Sequence, residues 1–245
     1  MHYHVVELPF HPFHLIGDPT LQPQQKPEAM PLFGEDFRKA KVEHYLERAQ
    51  EFVSMGRLLA ARKPIEAALA LDPDNGTGRT LVRHLDQMFD SFKKLPGAPA
   101  DPTEVGGQHR RQEIVMVIDQ DERLLLRVSE SLRKFGFRSV AAGGYQEARE
   151  LLAVLTPDLI ISEVNFETGP VGFDLYLMVR TNARLQDLPF LFLATRLDRE
   201  TLIAGKRLGV NDFIMKPLDE EVVYASIMSS LGKAKRITED SAARR

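Results

Sequence analysis

Three charged side chains close apolar runs of this chain. Asp119 follows Ile114-Val115-Met116-Val117-Ile118, Glu163 stands just beyond Leu159-Ile160-Ile161, and Lys216 follows Asp212 to Met215. If these runs are strands of one parallel sheet, their carboxyl ends share a rim, and the binding site of such a sheet lies on that rim. Gln120, Ala194 and Thr195 fall on it as well. The chemistry available there is ion pairing between carboxylates and one ammonium. Glu163 is one methylene longer than Asp, which carries its charge about 1.5 Å further toward Lys216. Taken singly, the same residues have plainer readings, a solvated lysine at 216 and a helix cap at 119. A second set, His2, His4, His11 and His14, carries imidazoles that suit zinc, copper or nickel. No Cys stands near them to complete a ligand set, so docking or disorder of that arm is the better account. The chain holds no Gly-rich phosphate loop, Gly-x-Ser-x-Gly elbow or His-Glu-x-x-His motif, and Gly143-Gly144 is too short for a phosphate loop. No enzyme is expected.

The elements that must position the rim alternate from residue 113 onward. Ile114 to Ile118 is apolar throughout, as a strand buried on both faces requires, and a helix from Asp121 to Phe135 follows. Arg138 to Ala141 leads to a helix over Tyr145 to Leu155, and Leu159 to Ile161 leads to one over Phe173 to Thr181. Phe190 to Leu193 precedes a helix at Arg199 to Leu208, and Asp212 to Met215 precedes one at Glu220 to Leu231. Five βα units predict an α/β fold, a doubly wound five-stranded parallel sheet over residues 113–232.

Ahead of it the pattern differs. Residues 1–34 hold six Pro and read as an extended arm, with Val5 to Phe10 and Phe13 to Ile16 apolar enough to dock on a folded surface. Residues 35–95 carry apolar side chains at helical spacing and predict a small all-α domain of three helices, 36–55, 59–71 and 77–94, broken at Gly56 and at Asp72-Pro73-Asp74-Asn75-Gly76. Residues 96–112, rich in Pro and Gly, read as a linker that leaves orientation flexible, and 233–245 as a solvated tail. Within the helical part Tyr45, Ala49, Phe52, Ala61, Ile65, Ala68 and Pro73 resemble one tetratricopeptide repeat, whose small residues let two helices approach while aromatics fill the gap. Arg48 stands where that repeat has Leu, and Pro64 falls inside the second helix, where it should kink the helix or delay its start. A single repeat cannot bury its own face. The arm, the second domain or another copy of the chain must cover it.

Residues 113–232 are similar to the receiver domain of response regulators. The resemblance rests on Asp119-Gln120, Pro157-Asp158-Leu159, Gly172-Phe173, Leu208-Gly209 before Asn211-Asp212-Phe213, and Lys216-Pro217, in the family's order. It implies a pocket in which two adjacent acids hold Mg²⁺, an Asp accepts phosphoryl, a Thr or Ser hydrogen-bonds it and a Lys neutralises it. Here Asp119 and Lys216 keep the family's types, while Gln120 replaces the second acid, Glu163 the acceptor Asp and Ala194 the hydroxyl. Exchanging a carboxylate for the Gln120 amide removes attraction of about 4 kcal/mol for a charge at ~4 Å with an effective dielectric of ~20, so Mg²⁺ binding is expected to be weak or absent, with Asp119 its residual ligand. A 1 Å misplacement of an acceptor costs phosphoryl transfer about 100-fold, so Glu163 is not expected to be phosphorylated. Phe213 occupies the aromatic switch position. The family's partner face, built on the fourth helix, fifth strand and fifth helix of the receiver, carries Arg199, Lys206, Arg207, Glu220, Glu221 and Tyr224 here.

Composition narrows the remaining classes. The 245 residues are 43% apolar and 27% charged with a net charge of −3, and neither half has the basic excess of a nucleic-acid binder. Zero Cys removes disulfides and thiolate chemistry and suits a reducing compartment, and no apolar run reaches the ~18 residues of a membrane span. The expectation is a cytoplasmic atypical response regulator of bacterial signalling that acts as a phosphorylation-independent protein-interaction adaptor and homodimer. It would need no cofactor, bind protein partners through the helical domain and the receiver face, and bind neither nucleic acid nor membrane. The alternative is a phosphorelay component that still accepts phosphoryl at a non-standard residue. His44 and His84, on amphipathic helices, are the phosphotransfer candidates, and a lone surface histidine is the plainer reading of each.

Overall fold

The computed structural model describes residues 35–93, 112–166 and 171–243. The Pro-rich arm with its four histidines and most of the linker lie outside them.

The first three elements are helices, α1 (Glu35–Ser54), α2 (Leu58–Leu71) and α3 (Gly76–Lys93). Ala49, Ala61 and Ala68 are fully buried, so α1 and α2 meet over small side chains, with Ile65 and Leu58 closing the seam. Pro64 does not delay α2, which begins at Leu58 and runs through it to Leu71. Asn75 ends the next turn by accepting the Gly78 amide at 3.0 Å.

Five βα units follow: β1 (Ile114–Ile118), α4 (Glu122–Lys134), β2 (Arg138–Ala142), α5 (Tyr145–Val154), β3 (Leu159–Glu163), α6 (Val171–Thr181), β4 (Phe190–Ala194), α7 (Arg199–Leu208), β5 (Asp212–Met215) and α8 (Glu220–Ala243). All pairings are parallel and the strand order is β2-β1-β3-β4-β5, the doubly wound flavodoxin-like order. β1, β3 and β4 are buried at every position; β1 and β4 are apolar throughout, as burial on both faces requires, and β3 carries Ser162 and Glu163 after its apolar start. Alternate residues feed two cores, Met116, Ile160 and Phe192 toward α5 and α6, and Val117, Ile161 and Leu193 toward α4 and α8.

Two expectations are corrected. The predicted tail at 233–245 continues α8 as far as Ala243. Gly232 is the one weak former at that junction, and the Lys, Arg, Ala and Glu beyond it favour helix. The helical segment also does not hang from its linker in a flexible orientation. Its α1–α2 turn wraps the free edge of β2, with Met55 entering the α4 core and Leu58, Phe89 and Phe92 joining the α5 core. Gly56, at φ +76°, turns its carbonyl onto the Ala141 amide at 2.9 Å, and a Cβ there would press on the Ser139 carbonyl. Ser129 Oγ donates to the Met55 carbonyl at 2.8 Å. The second domain thus covers the face that a lone helical pair leaves bare.

Candidate functional site

The strand order brings the ends of β1, β3 and β5 side by side around β4, and their last residues form one small pocket. Asp119, one residue past β1, is 2% exposed, and Glu163, the last residue of β3, is 6% exposed. Lys216 follows β5, its amide donating to the Ala194 carbonyl at 2.9 Å, and its peptide bond to Pro217 is cis. The Lys216 ammonium lies 2.5 Å from Asp119 Oδ2 and touches Glu163 Oε2. One cation therefore serves two buried carboxylates.

Local backbone fixes each acid. Asp119 Oδ1 accepts the Asp121 amide at 2.9 Å, and Glu163 Oε1 accepts the Asn165 amide at 3.0 Å. Gly172 is required here because a Cβ would strike the carbonyls of Glu163 and Val164. Asp121 caps α4, accepting the Arg123 and Leu124 amides at 2.9 and 3.2 Å. Burial pushes the Asp119 carboxyl above its usual range, against the opposing pull of Lys216 and the Asp121 amide. For Lys216, burial lowers the ammonium's pKa, but the contacts with Asp119 and Glu163 outweigh it and the net direction is upward.

Gln120 is exposed beside the pocket, Ala194 is fully buried at the end of β4, and Thr195 points to solvent. Phe213 stacks on Phe192 with ring centroids 5.6 Å apart and fills the space above Gly205 that a Cβ would take. The predicted partner face is only partly brought together. Arg199, Lys206 and Arg207 are exposed on α7, but Glu220 pairs with Lys134 of α4 at 3.8 Å and Tyr224 stacks on Phe135 at 4.4 Å. Those two residues face the α4 flank. Helix faces 100° apart look alike in a list of exposed residues, and the neighbour each one meets is set by packing. Glu221 is exposed.

A second charged cluster lies beside the pocket, between helical segment and sheet, and sequence reasoning missed it. Glu122, the first residue of α4, takes Arg48 Nη2 on both oxygens at 2.9 Å and Arg57 Nη1 at 2.8 Å. Arg57 continues to Glu147 Oε2 at 2.8 Å, and that oxygen also accepts the Gly143 amide at 2.7 Å. Both guanidinium groups pack on Phe52, 4.1 and 4.9 Å from its ring centre. The signals were present: Arg48 broke the repeat pattern, and Gly143 leaves the space that the Arg57 guanidinium fills.

Comparison with known proteins agrees with the topology. Residues 115–228 match the family of response regulator receiver domains. Over 128 residues the chain is 29% identical to the transcriptional regulatory protein AfsQ1 of Streptomyces coelicolor, covering 52% of this chain and 55% of that one. It is 27% identical to the chemotaxis protein CheY of Pseudomonas aeruginosa over 46% of this chain and 91% of that one. The chain spans about half the length of the first curated relatives it matches, 55% and 53% of them. Among solved structures, the Vibrio cholerae chemotaxis protein CheY4 is 25% identical with a TM-score of 0.46, covering 49% of this chain and 98% of that one. By their family match and strand order, residues 115–228 are a response regulator receiver domain. Among the described residues, no helix is long and apolar enough to cross a membrane.

Proposed function

We propose that this chain is an atypical response regulator, a phosphorylation-independent adaptor of bacterial signalling whose receiver is degenerate. The observation that carries the reading is the contact of Glu163 with Lys216. The side chain standing at the acceptor position already supplies the lysine with an anion, so the pocket holds its ion pair without a phosphoryl group. Magnesium does not fit the donors present. Asp119 is engaged by Lys216 and the Asp121 amide, Gln120 is neutral, and the described residues include no cluster of three acids or histidines able to hold an ion. Ala194 offers no hydroxyl to draw the following loop inward.

The helical segment is the adaptor's second surface. The packing of Tyr45, Ala49, Phe52, Ala61, Ile65 and Ala68 supports a tetratricopeptide-like pair, with the receiver standing in for the neighbouring repeats, while Pro73 is exposed in the turn after α2. Protein partners would meet its outward faces and the exposed flank of α7 and β5, where Leu202, Ile203 and Met215 are 37%, 36% and 45% exposed beside Lys206 and Arg207. The same flank suits a symmetric pair of chains in the cytoplasm. No catalysis by the chain itself enters this reading.

The test is mass measurement after incubating the full chain with Mg²⁺ and a small phosphodonor. No added phosphoryl is expected. A stoichiometric adduct on any residue would favour the phosphorelay alternative.

A further inference from the structure

We infer that the position of the helical segment is governed by the rim pocket, and that Glu122 is the residue through which the two are joined. The inference holds whether or not the pocket accepts phosphoryl. Two residues, Gln120 and Asp121, separate the pocket acid from the interface acid, and Asp121 is pinned on both sides. Asp119 gives one oxygen to Lys216 and the other to the Asp121 amide, Asp121 caps α4, and Glu122 opens that helix. On its far side Glu122 is gripped by Arg48 from α1 and by Arg57 from the α1–α2 turn, with three contacts of 2.8–2.9 Å.

The grip has little slack. The Arg57 side chain is 15% exposed and its guanidinium lies against Gly143, where not even a methyl group would fit. Its Nε and Glu147 Oε1 are buried without hydrogen-bond partners, so the cluster is held at one geometry in spite of two unsatisfied polar atoms. A rotation of the Asp119 carboxylate must break the Asp121 hydrogen bond or move the first turn of α4, and that turn carries the residue on which the two arginines close. Next to the clamp, Met55 is plugged into the α4 core and Gly56 is bonded to the edge of β2. Releasing Glu122 therefore loosens the plug. The acidic pocket and the helical segment behave as one linked device, with Glu122 a positioning residue for the docked state.

The Ala141 amide reports docking directly, because it leaves the sheet edge and donates to the Gly56 carbonyl across the interface. Hydrogen exchange of the full chain, read by NMR, is the test, with the Met116 and Ile160 amides of the central strands as controls for the intact sheet. Lys216→Met is expected to speed exchange at Ala141 by about tenfold beyond the rise that its loss of global stability produces in the controls. Glu122→Gln is expected to speed it similarly, and in that background Lys216→Met should add nothing beyond the controls' rise. If Lys216→Met leaves the controls unprotected, Glu163→Gln gives the same comparison with the lysine retained, and a smaller rise that again vanishes without Glu122 is expected. An Ala141 rate unchanged relative to the controls by either pocket variant, or one that rises equally with and without Glu122, would overturn the inference.

Discussion

Lys216→Met keeps the length of the side chain and removes its charge, which isolates the electrostatic part of the pocket. In the native protein the ammonium is shared by Asp119 and Glu163, both more than nine-tenths buried, and its own side chain is 17% exposed. Removing one partner of a buried ion pair leaves an uncompensated charge and costs about 3–5 kcal/mol, a large share of the ~5–15 kcal/mol that holds a domain folded. The assay is urea unfolding followed by far-ultraviolet circular dichroism at neutral pH. The sign of the pH dependence is a second check. Lys216 has a raised pKa, so its contribution is complete below its ordinary value of 10.5 and is lost as pH rises through the folded value; the native protein should weaken there and the variant should not. Asp119 is also raised, so its protonated form favours the fold and its contribution fades as pH climbs from 3.8 through the folded value. Without Lys216 that upward push is opposed by the Asp121 amide alone, and the variant's deficit should shrink as the pH is lowered toward 4. A loss under about 1 kcal/mol, equal at all pH values, would mean a solvated lysine and refute the reasoning.

Other perturbations address the scaffold. Gly143→Ala places a Cβ 2.5 Å from Arg57 Nη2 and should cost about 1–3 kcal/mol in the same unfolding assay, with Arg57 displaced from Glu147. Leu58→Ala removes a fully buried side chain from the core shared by helical segment and sheet; a loss of about 2–5 kcal/mol is expected, appearing in the amides of both parts by NMR. Asp121→Ala deletes the α4 cap and should cost about 0.5–2 kcal/mol by thermal unfolding.

The sheet was legible because its signal is local. Ile114 to Ile118 and Phe190 to Ala194 are apolar throughout, which only strands buried on both faces require, and Gly209 at φ +84° ends α7 where Leu208-Gly209 marked it. The rim acids and lysine could be placed because each is tied to a strand end. The helix over Leu58–Leu71 was legible in spite of Pro64, since Ala61, Ile65 and Ala68 share one face. The docking of the helical segment was not legible, because its parts are scattered. Arg57 meets Glu122 and Glu147 across 65 and 90 residues, and no periodicity links them. Arg48 was visible only as a departure from a repeat, and Gly143 only as a glycine, until packing joined the two to one acidic residue at the start of α4. Tyr224 and Glu220 were assigned to the wrong flank for a related reason, since exposure on α8 does not say which neighbour lies beside it.

The central claim is that Glu163 permanently occupies the lysine a phosphoryl group would otherwise engage. Its most direct test is NMR of the Lys216 ammonium in protein labelled with nitrogen-15, with Glu163→Gln as the reference. A proton-exchange-protected signal that moves in Glu163→Gln, and that stays put when Mg²⁺ and beryllofluoride, a phosphoryl mimic, are added to the native protein, is the predicted result. A native signal that shifts and saturates with those additions would contradict it.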